Sequence, residues 1–240
     1  MKFLVLETKE EVAVKAADIV SEVIKNNPKA VLGLATGSSP LGLYAELVKR
    51  YKAGELDFSG ITSVNLDEYV GLSEDHDQSY RYFMNTNLLD LVNINKENTH
   101  VPHGNTDNPE EEARKYNELL ESLPPQDIQV LGIGINGHIG FNEPSDNLVV
   151  PTHAENLTEN TINANARFFE KVQDVPTKAI TMGVGNIMRA KKIILIATGE
   201  NKREAMRRLR DEYVSANNPS SVLKLHDDTI ILMDRAAYGE

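Results

Sequence analysis

Ala30-Val-Leu-Gly-Leu-Ala35 is a short run without a polar side chain, and Thr36-Gly-Ser-Ser-Pro40 follows it directly. Such a run suits a strand buried on both faces, and Ser39-Pro40 then starts a helix with proline at its first position. The same kind of unit recurs along the chain. Phe3–Leu6, Ile61–Leu66, Ile128–Ile133, Ala179–Met182, Ile193–Ala197 and Thr229–Met233 read as further strands. Between them lie segments of helical period. Thr8-Lys-Glu-Glu11 matches a capping box, in which hydroxyl and carboxylate satisfy each other's backbone donors, and Val12, Ala16, Ile19, Val20 and Val23 follow at helix spacing to Asn26. Helices are also expected over Tyr80–Val92, from Asn108-Pro109 to Leu120, and between Asn201 and Ser215. Apolar strands alternating with helices predict a doubly wound, mainly parallel α/β sheet. Without a Gly-, Pro- or Ser-rich linker, residues 1–240 are read as one domain. Ligands of such sheets bind beyond the carboxyl ends of the strands, so the loops after Ala35, Leu66, Ile133, Met182 and Ala197 share the functional edge.

Composition narrows the function classes. The chain has 240 residues with 25 basic and 36 acidic side chains, a formal charge of −11. An acidic protein is a poor partner for nucleic acid, whose binding depends on clustered positive charge. The absence of cysteine removes disulfides, thiol catalysis and thiolate metal sites. The amino terminus is too polar after Leu6 for a signal-peptide core, and no apolar run nears the roughly 20 residues of a membrane span. The expectation is a cytoplasmic protein without nucleic-acid or membrane partners. A charge of −11 would also oppose an anionic ligand, unless local groups overcome it.

Three loops carry chemistry. Thr36, Gly37 and Ser38 combine hydroxyls, a glycine and free N–H groups ahead of a helix, which makes a phosphate cradle; the plainer alternative is an ordinary helix cap at Ser39. It is not a nucleotide P-loop, because no Gly-Lys-Ser/Thr follows. Asn65-Leu-Asp67-Glu68-Tyr69 places two carboxylates at a strand end. Neighbouring side chains leave extended backbone on opposite sides, so at most one serves a given cleft, and a solvated acidic corner remains the alternative. The densest loop is Gly132-Ile-Gly-Ile-Asn136-Gly-His138-Ile-Gly-Phe-Asn-Glu143-Pro144. Its glycines satisfy G-x-G-x-x-G, but Gly140 and Pro144 interrupt the helix that dinucleotide binding requires. A glycine-rich turn presenting His138 with Glu143 nearby suits a general acid/base, although a structural histidine is the alternative. Arg167 and Lys202 follow on later loops, each a surface charge or a phosphate clamp. His100-Val-Pro-His103 has metal-ligand spacing without an evident third ligand, and Lys202, Arg203, Arg207, Arg208 and Arg210 read as a solvated face paired with Glu204 and Asp211.

Together these segments resemble the glucosamine-6-phosphate deaminases of the sugar-phosphate isomerase/deaminase superfamily, through residues 33–40, 65–72, 137–144, 166–169 and 181–185 in family order. The resemblance implies a modified Rossmann-type fold and conversion of D-glucosamine 6-phosphate and water to D-fructose 6-phosphate and ammonia, without metal or organic cofactor. It implies that His138 opens the sugar ring, that Glu143 orients His138, and that Asp67 moves the proton from C2 to C1. Thr36, Gly37, Ser38, Arg167 and Lys202 would grip the phosphate. Asn136 stands where some members have Asp, and would position His138 by hydrogen bonding alone. Allosteric members are longer and carry basic residues after the Asn-Glu-Pro block. Here Pro151-Thr-His-Ala-Glu-Asn156 offers none, and the chain stops at Glu240, so a monomer without allosteric activation is expected. Two alternatives are a 6-phosphogluconolactonase, a related hydrolase without need of a C2 base, and a non-catalytic sugar-phosphate sensor, which would normally carry a DNA-binding segment.

Overall fold

The computed structural model describes residues 1–166, 169 and 171–239. Seven strands form the main sheet: β1 (Lys2–Leu6), β2 (Val31–Leu34), β3 (Thr62–Asn65), β5 (Thr99–His100), β6 (Ile128–Leu131), β9 (Ile193–Ala197) and β10 (Thr229–Asp234). They lie in the order β1-β10-β9-β6-β2-β3-β5, and every pairing is parallel. All residues of β2, β6 and β9 are buried, as both faces are covered.

The connecting helices begin where local chemistry can satisfy their first N–H groups. In α1 (Lys9–Asn26), the Glu11 N–H donates to Thr8 Oγ1 at 3.2 Å. The Glu11 carboxylate reaches back to the N–H of Glu7 at 3.0 Å, one residue beyond its expected partner. Val12, Ala16, Val20 and Ile24 of this helix are buried, while Ile19 and Val23 only flank the core. In α2 (Leu41–Lys52), Pro40 lies just before the first turn rather than in it, and the buried Tyr44 reaches back to the strand it follows. Its hydroxyl donates to the Ala35 carbonyl at 2.5 Å and accepts from the Ala35 N–H at 3.2 Å. That double contact fixes the end of β2 where the first loop begins. In α4 (Pro109–Ser122), Asn108 caps the Glu111 N–H at 3.1 Å.

A second sheet departs from the sequence reading. β4 (Asp67–Tyr69), β7 (His153–Asn156) and β8 (Lys178–Thr181) form a three-stranded antiparallel sheet in the order β4-β8-β7. The segment Ala179–Met182 is therefore no strand of the parallel sheet, and the loop after Met182 does not follow a parallel strand. Burial explains the misreading. A short apolar run shows that a strand is covered, but not which sheet it joins. Leu66 joins the two sheets: its N–H donates to Leu34 at 3.1 Å, and its carbonyl accepts from Met182 at 2.7 Å. A small apolar cluster of Tyr69, Phe141, Leu157 and Ala179 packs under this sheet, with Tyr80 stacked on Phe141 at 6.1 Å between centroids.

Other expected bounds also shift. The helix over Tyr80–Val92 is a short α3 (Tyr80–Met84) continued by a π-helical turn, Asn85–Leu89. The one expected over Asn201–Ser215 is α7 (Arg203–Arg210), entered through a 3-10 turn at Glu200–Lys202 and stopped by the extended backbone of Asp211. Three further short α-helices are present among the described residues: α5 (Glu159–Asn165), α6 (Val184–Met188) and α8 (Arg235–Tyr238).

Candidate active site

The loop after β6 makes its own platform. The Gly134 N–H donates to the His138 carbonyl at 2.9 Å, and the Gly137 N–H to the Gly134 carbonyl at 3.0 Å. The turn so closed lays the His138 ring against Gly134. A side chain there would place its Cβ 2.5 Å from ring atoms Cε1 and Nε2, so only glycine admits the imidazole. Asn142 pins the far end of the loop, donating to the carbonyls of Ile139 and Met182 at 2.8 Å each.

Around His138 the polar groups are ordered. Nδ1 lies 3.2 Å from Glu143 Oε1, although off the line of a well-formed hydrogen bond. Asn136 bridges the pair from the other side. Its Nδ2 donates to Glu143 Oε2 at 2.6 Å, and its Oδ1 accepts from the His138 N–H at 3.2 Å. The hydroxyl of Thr161 donates to Glu143 Oε1. Burial alone would raise the Glu143 carboxyl, but the imidazole, the Thr161 hydroxyl and the Asn136 amide outweigh it and hold the group below the usual carboxylate range. The His138 side chain keeps 22% of its surface exposed and that of Glu143 only 6%, so the imidazole faces the solvent side and the carboxylate backs it.

Asp67 approaches the same loop from β4. Its Oδ2 stands 3.5 Å from where a Cβ on Gly140 would lie, beside Thr181 Oγ1, which accepts from the Phe141 N–H at 3.1 Å. Asp67 and Thr181 are register partners across β4 and β8, so the small sheet delivers both to Gly140. At 6% exposure, burial pushes the Asp67 carboxyl up to about 8, with the neighbouring Glu68 charge adding to it. Glu68 faces elsewhere. It accepts from the N–H groups of Tyr69, Tyr80 and Arg81 at 2.8, 2.9 and 2.9 Å, and so caps α3. Burial raises its carboxyl too, against the pull of these donors. The acidic pair thus divides as the strand alternation requires, one carboxylate at the loop and one in the framework.

Thr36 and Gly37 are half-buried and Ser38 is exposed, with Gly37 at φ +85°. Ser39 Oγ approaches Gly132, setting this loop beside the His138 platform. Lys202 joins them, its Nζ donating to the Ile133 carbonyl at 2.6 Å. Arg167 lies outside the described residues. A cleft of about 430 Å³ opens next to Ser38 and Ser39, but Glu10 and Glu46 line it and neither Asp67 nor His138 does. With two carboxylates against the one cation Lys9, its lining is net negative and a poor seat for an anion, so the candidate site is placed beside Asp67 and His138 instead.

Two residues of the site escaped the sequence reading. Thr161 belongs to a polar stretch with no distinguishing pattern. Arg208 belongs to the expected solvated face, but that description fits Arg203, paired with Glu200 at 3.3 Å, and Arg207, paired with Glu204 at 2.7 Å. Arg208 instead donates to the carbonyls of Asn136 at 3.1 Å and Asn217 at 2.6 Å, bracing the platform from α7. Arg210 bonds the Tyr238 carbonyl and covers the Tyr238 ring. His100 and His103 join no group of three or more ligand-type side chains among the described residues. Among those residues, no helix is long and apolar enough to cross a membrane.

Comparison with known proteins agrees with this geometry. The family model for glucosamine-6-phosphate isomerases/6-phosphogluconolactonase matches residues 7–232. The glucosamine-6-phosphate deaminase of Clostridium perfringens (strain 13) is 53% identical over 237 residues, 99% of this chain and 98% of its own. The glucosamine-6-phosphate deaminase of Clostridioides difficile (strain 630) is 47% identical, covering 100% of this chain and 96% of its own. A solved structure of a monomeric glucosamine-6-phosphate deaminase superposes with a TM-score of 0.97 at 44% identity, covering 100% and 99% of the two chains. The 6-phosphogluconolactonase of Leishmania guyanensis shares the fold, with a TM-score of 0.76 at 21% identity over 98% and 97%.

Proposed function

The chain belongs to the glucosamine-6-phosphate isomerase/6-phosphogluconolactonase family, and from that membership we infer that it deaminates D-glucosamine 6-phosphate, giving D-fructose 6-phosphate and ammonia. One observation carries the choice of reaction within the family. The buried Asp67 is set against the same loop that presents His138. Ester hydrolysis needs no carboxylate there, whereas proton transfer between adjacent carbons does.

In this reading His138 takes the anomeric hydroxyl proton and returns one to the ring oxygen, opening the pyranose. Glu143 and Asn136 keep Nδ1 and the backbone fixed, so that the exposed nitrogen works. Asp67 then removes the C2 proton, giving an enolamine, and delivers a proton to C1. The nitrogen is left as a C2 iminium, which water converts to the ketone with release of ammonia. A carboxyl raised to about 8 is largely protonated in the free enzyme at neutral pH. The substrate resolves this, because its C2 ammonium beside Asp67 favours the ionised form. The base is therefore charged by the substrate it acts on.

Thr36, Gly37, Ser38, Arg167 and Lys202 form the phosphate grip. Lys202 supplies local positive charge against a chain total of −11, so binding rests on contact rather than long-range steering. The 44% identical solved relative is a monomeric glucosamine-6-phosphate deaminase, which supports a monomer. A cytoplasmic location belongs to the same reading, since a charged sugar phosphate does not cross a bilayer unaided.

The test is to incubate the purified protein with glucosamine 6-phosphate and follow ammonia and fructose 6-phosphate together, in deuterium oxide as well as in water. Equal release of both, with deuterium entering C1, is the expected result. No turnover between neutral and mildly alkaline pH would overturn the assignment.

A further inference from the structure

Three side chains face the Glu143 carboxylate, and two of them, His138 and Asn136, lie on its own loop. The third comes from elsewhere. Thr161 sits in the first turn of α5, is 6% exposed, and donates its hydroxyl to Glu143 Oε1, the oxygen that also faces His138 Nδ1. This hydroxyl is aimed by a neighbour. Thr158, the cap of α5, donates its own hydroxyl to Thr161 Oγ1 at 3.1 Å and accepts the Thr161 N–H at 3.3 Å. Thr161 accepts a hydrogen bond from Thr158, so its own proton is not directed back to that hydroxyl and is donated to the carboxylate. Chains of this kind polarise each member and sharpen the last bond.

We propose that Thr161 is a positioning residue for the His138–Glu143 pair: its hydroxyl, oriented by Thr158, holds Oε1 in the place from which Glu143 fixes the imidazole. The argument is geometric. A glutamate has three rotatable bonds, and Asn136 restrains only Oε2. Were Oε1 left to His138 alone, the carboxyl plane could rotate about the Oε2 contact and leave Nδ1 without its partner. Buried carboxylates that orient a catalytic imidazole depend on such outer donors, in the way that metal-binding histidines depend on theirs. The hydroxyl also stabilises the charged form of Glu143, in the same direction as the Asn136 amide.

The proposal rests on the ring-opening role given to His138, and the experiment separates the two. Thr161→Val keeps the shape and removes only the hydroxyl; Thr161→Ser keeps the hydroxyl. In Thr161→Val, kcat/KM for glucosamine 6-phosphate falls about tenfold, while affinity for fructose 6-phosphate, which depends on the phosphate grip, changes less than about twofold. Thr161→Ser recovers most of the loss, and Thr158→Ala gives an intermediate one. Independently of turnover, carboxyl carbon NMR of Glu143 shows its titration moving to higher pH in Thr161→Val and returning in Thr161→Ser. Should the wild type lack deaminase activity, that titration still decides the role of Thr161. An unmoved titration, or equal losses in the valine and serine variants, would overturn the proposal and make Thr161 a residue of helix structure only.

Discussion

Replacing Asp67 by Asn removes a carboxyl that the fold keeps against its own stability. The folded protein holds the Asp67 proton up to about pH 8, whereas the unfolded chain releases it near the ordinary 3.8. Between those values folding takes up a proton, so the stability contribution of this group falls as pH rises and is constant on either side. The interval below pH 7 spans a little over three units; at roughly 1.4 kcal/mol per unit the cost reaches about 4 kcal/mol at neutrality. Relaxation of the buried site lowers this, so about 2–4 kcal/mol is expected. Asn has the volume of Asp and no charge, and among the described residues no hydrogen bond to the Asp67 carboxylate is lost. Asp67→Asn should therefore be more stable than the wild type at pH 7, with Tm higher by roughly 4–16 °C, while deamination falls at least about a thousandfold. The decisive assay is urea or thermal unfolding of both proteins from pH 4 to 9. The two should coincide near pH 4, diverge as pH rises, and run parallel above about pH 8. A difference independent of pH would refute the electrostatic reasoning, and a less stable variant would make Asp67 a structural residue.

The remaining predictions concern the loop and its charges. The kcat/KM profile should rise with pH through a limb near 8, that of free Asp67, while the kcat limb lies at lower pH because bound ammonium ionises the group; coincident limbs would argue against charging by substrate. Asn136→Asp sets a second carboxylate where the amide now donates to Glu143 at 2.6 Å. Glu143, at present held low, should then titrate at higher pH, and the stability its ionised form contributes should be lost earlier on acidification; an unchanged acid limb of activity and unfolding would contradict this. Gly134→Ala drives a methyl into the imidazole, so about a hundredfold or greater loss of kcat is expected with phosphate affinity retained. Lys202→Met should raise KM about tenfold or more with a smaller change in kcat, read from steady-state kinetics; an unaltered KM would remove Lys202 from the phosphate grip.

Most of the parallel sheet was legible because β2, β9 and the middle of β10 are continuous apolar runs, whereas the two-residue β5, Thr99-His100, has no apolar side chain and gave no signal. The helix starts were legible because Thr8 and Asn108 are strong caps. His138 with Glu143 was legible because glycines surround them, and the structure ties them together through Asn136. The small sheet was not. β4 has three residues, two of them acidic, and β7 reads His-Ala-Glu-Asn, half-exposed and without an apolar face. Their pairing with β8 is a tertiary event that local pattern does not encode. Thr161 and Arg208 were hidden for a related reason. Each acts on a loop distant in sequence, and a threonine or arginine in a polar helix carries no mark of the partner it will meet.

Leu66 bonds one sheet with its N–H and the other with its carbonyl, so the Thr36–Ser38 loop and Asp67 are held at a fixed separation, like the jaws of a set caliper. On the proposed assignment, a hexose 6-phosphate would span that gap with its C2 at Asp67. A pentose 5-phosphate, one carbon shorter, seats its phosphate equally well yet leaves C2 short of Asp67, so the enzyme should bind it as an inhibitor and exchange none of its carbon-bound hydrogen with solvent. The choice of sugar is then made by length along the carbon chain, before any hydroxyl is read.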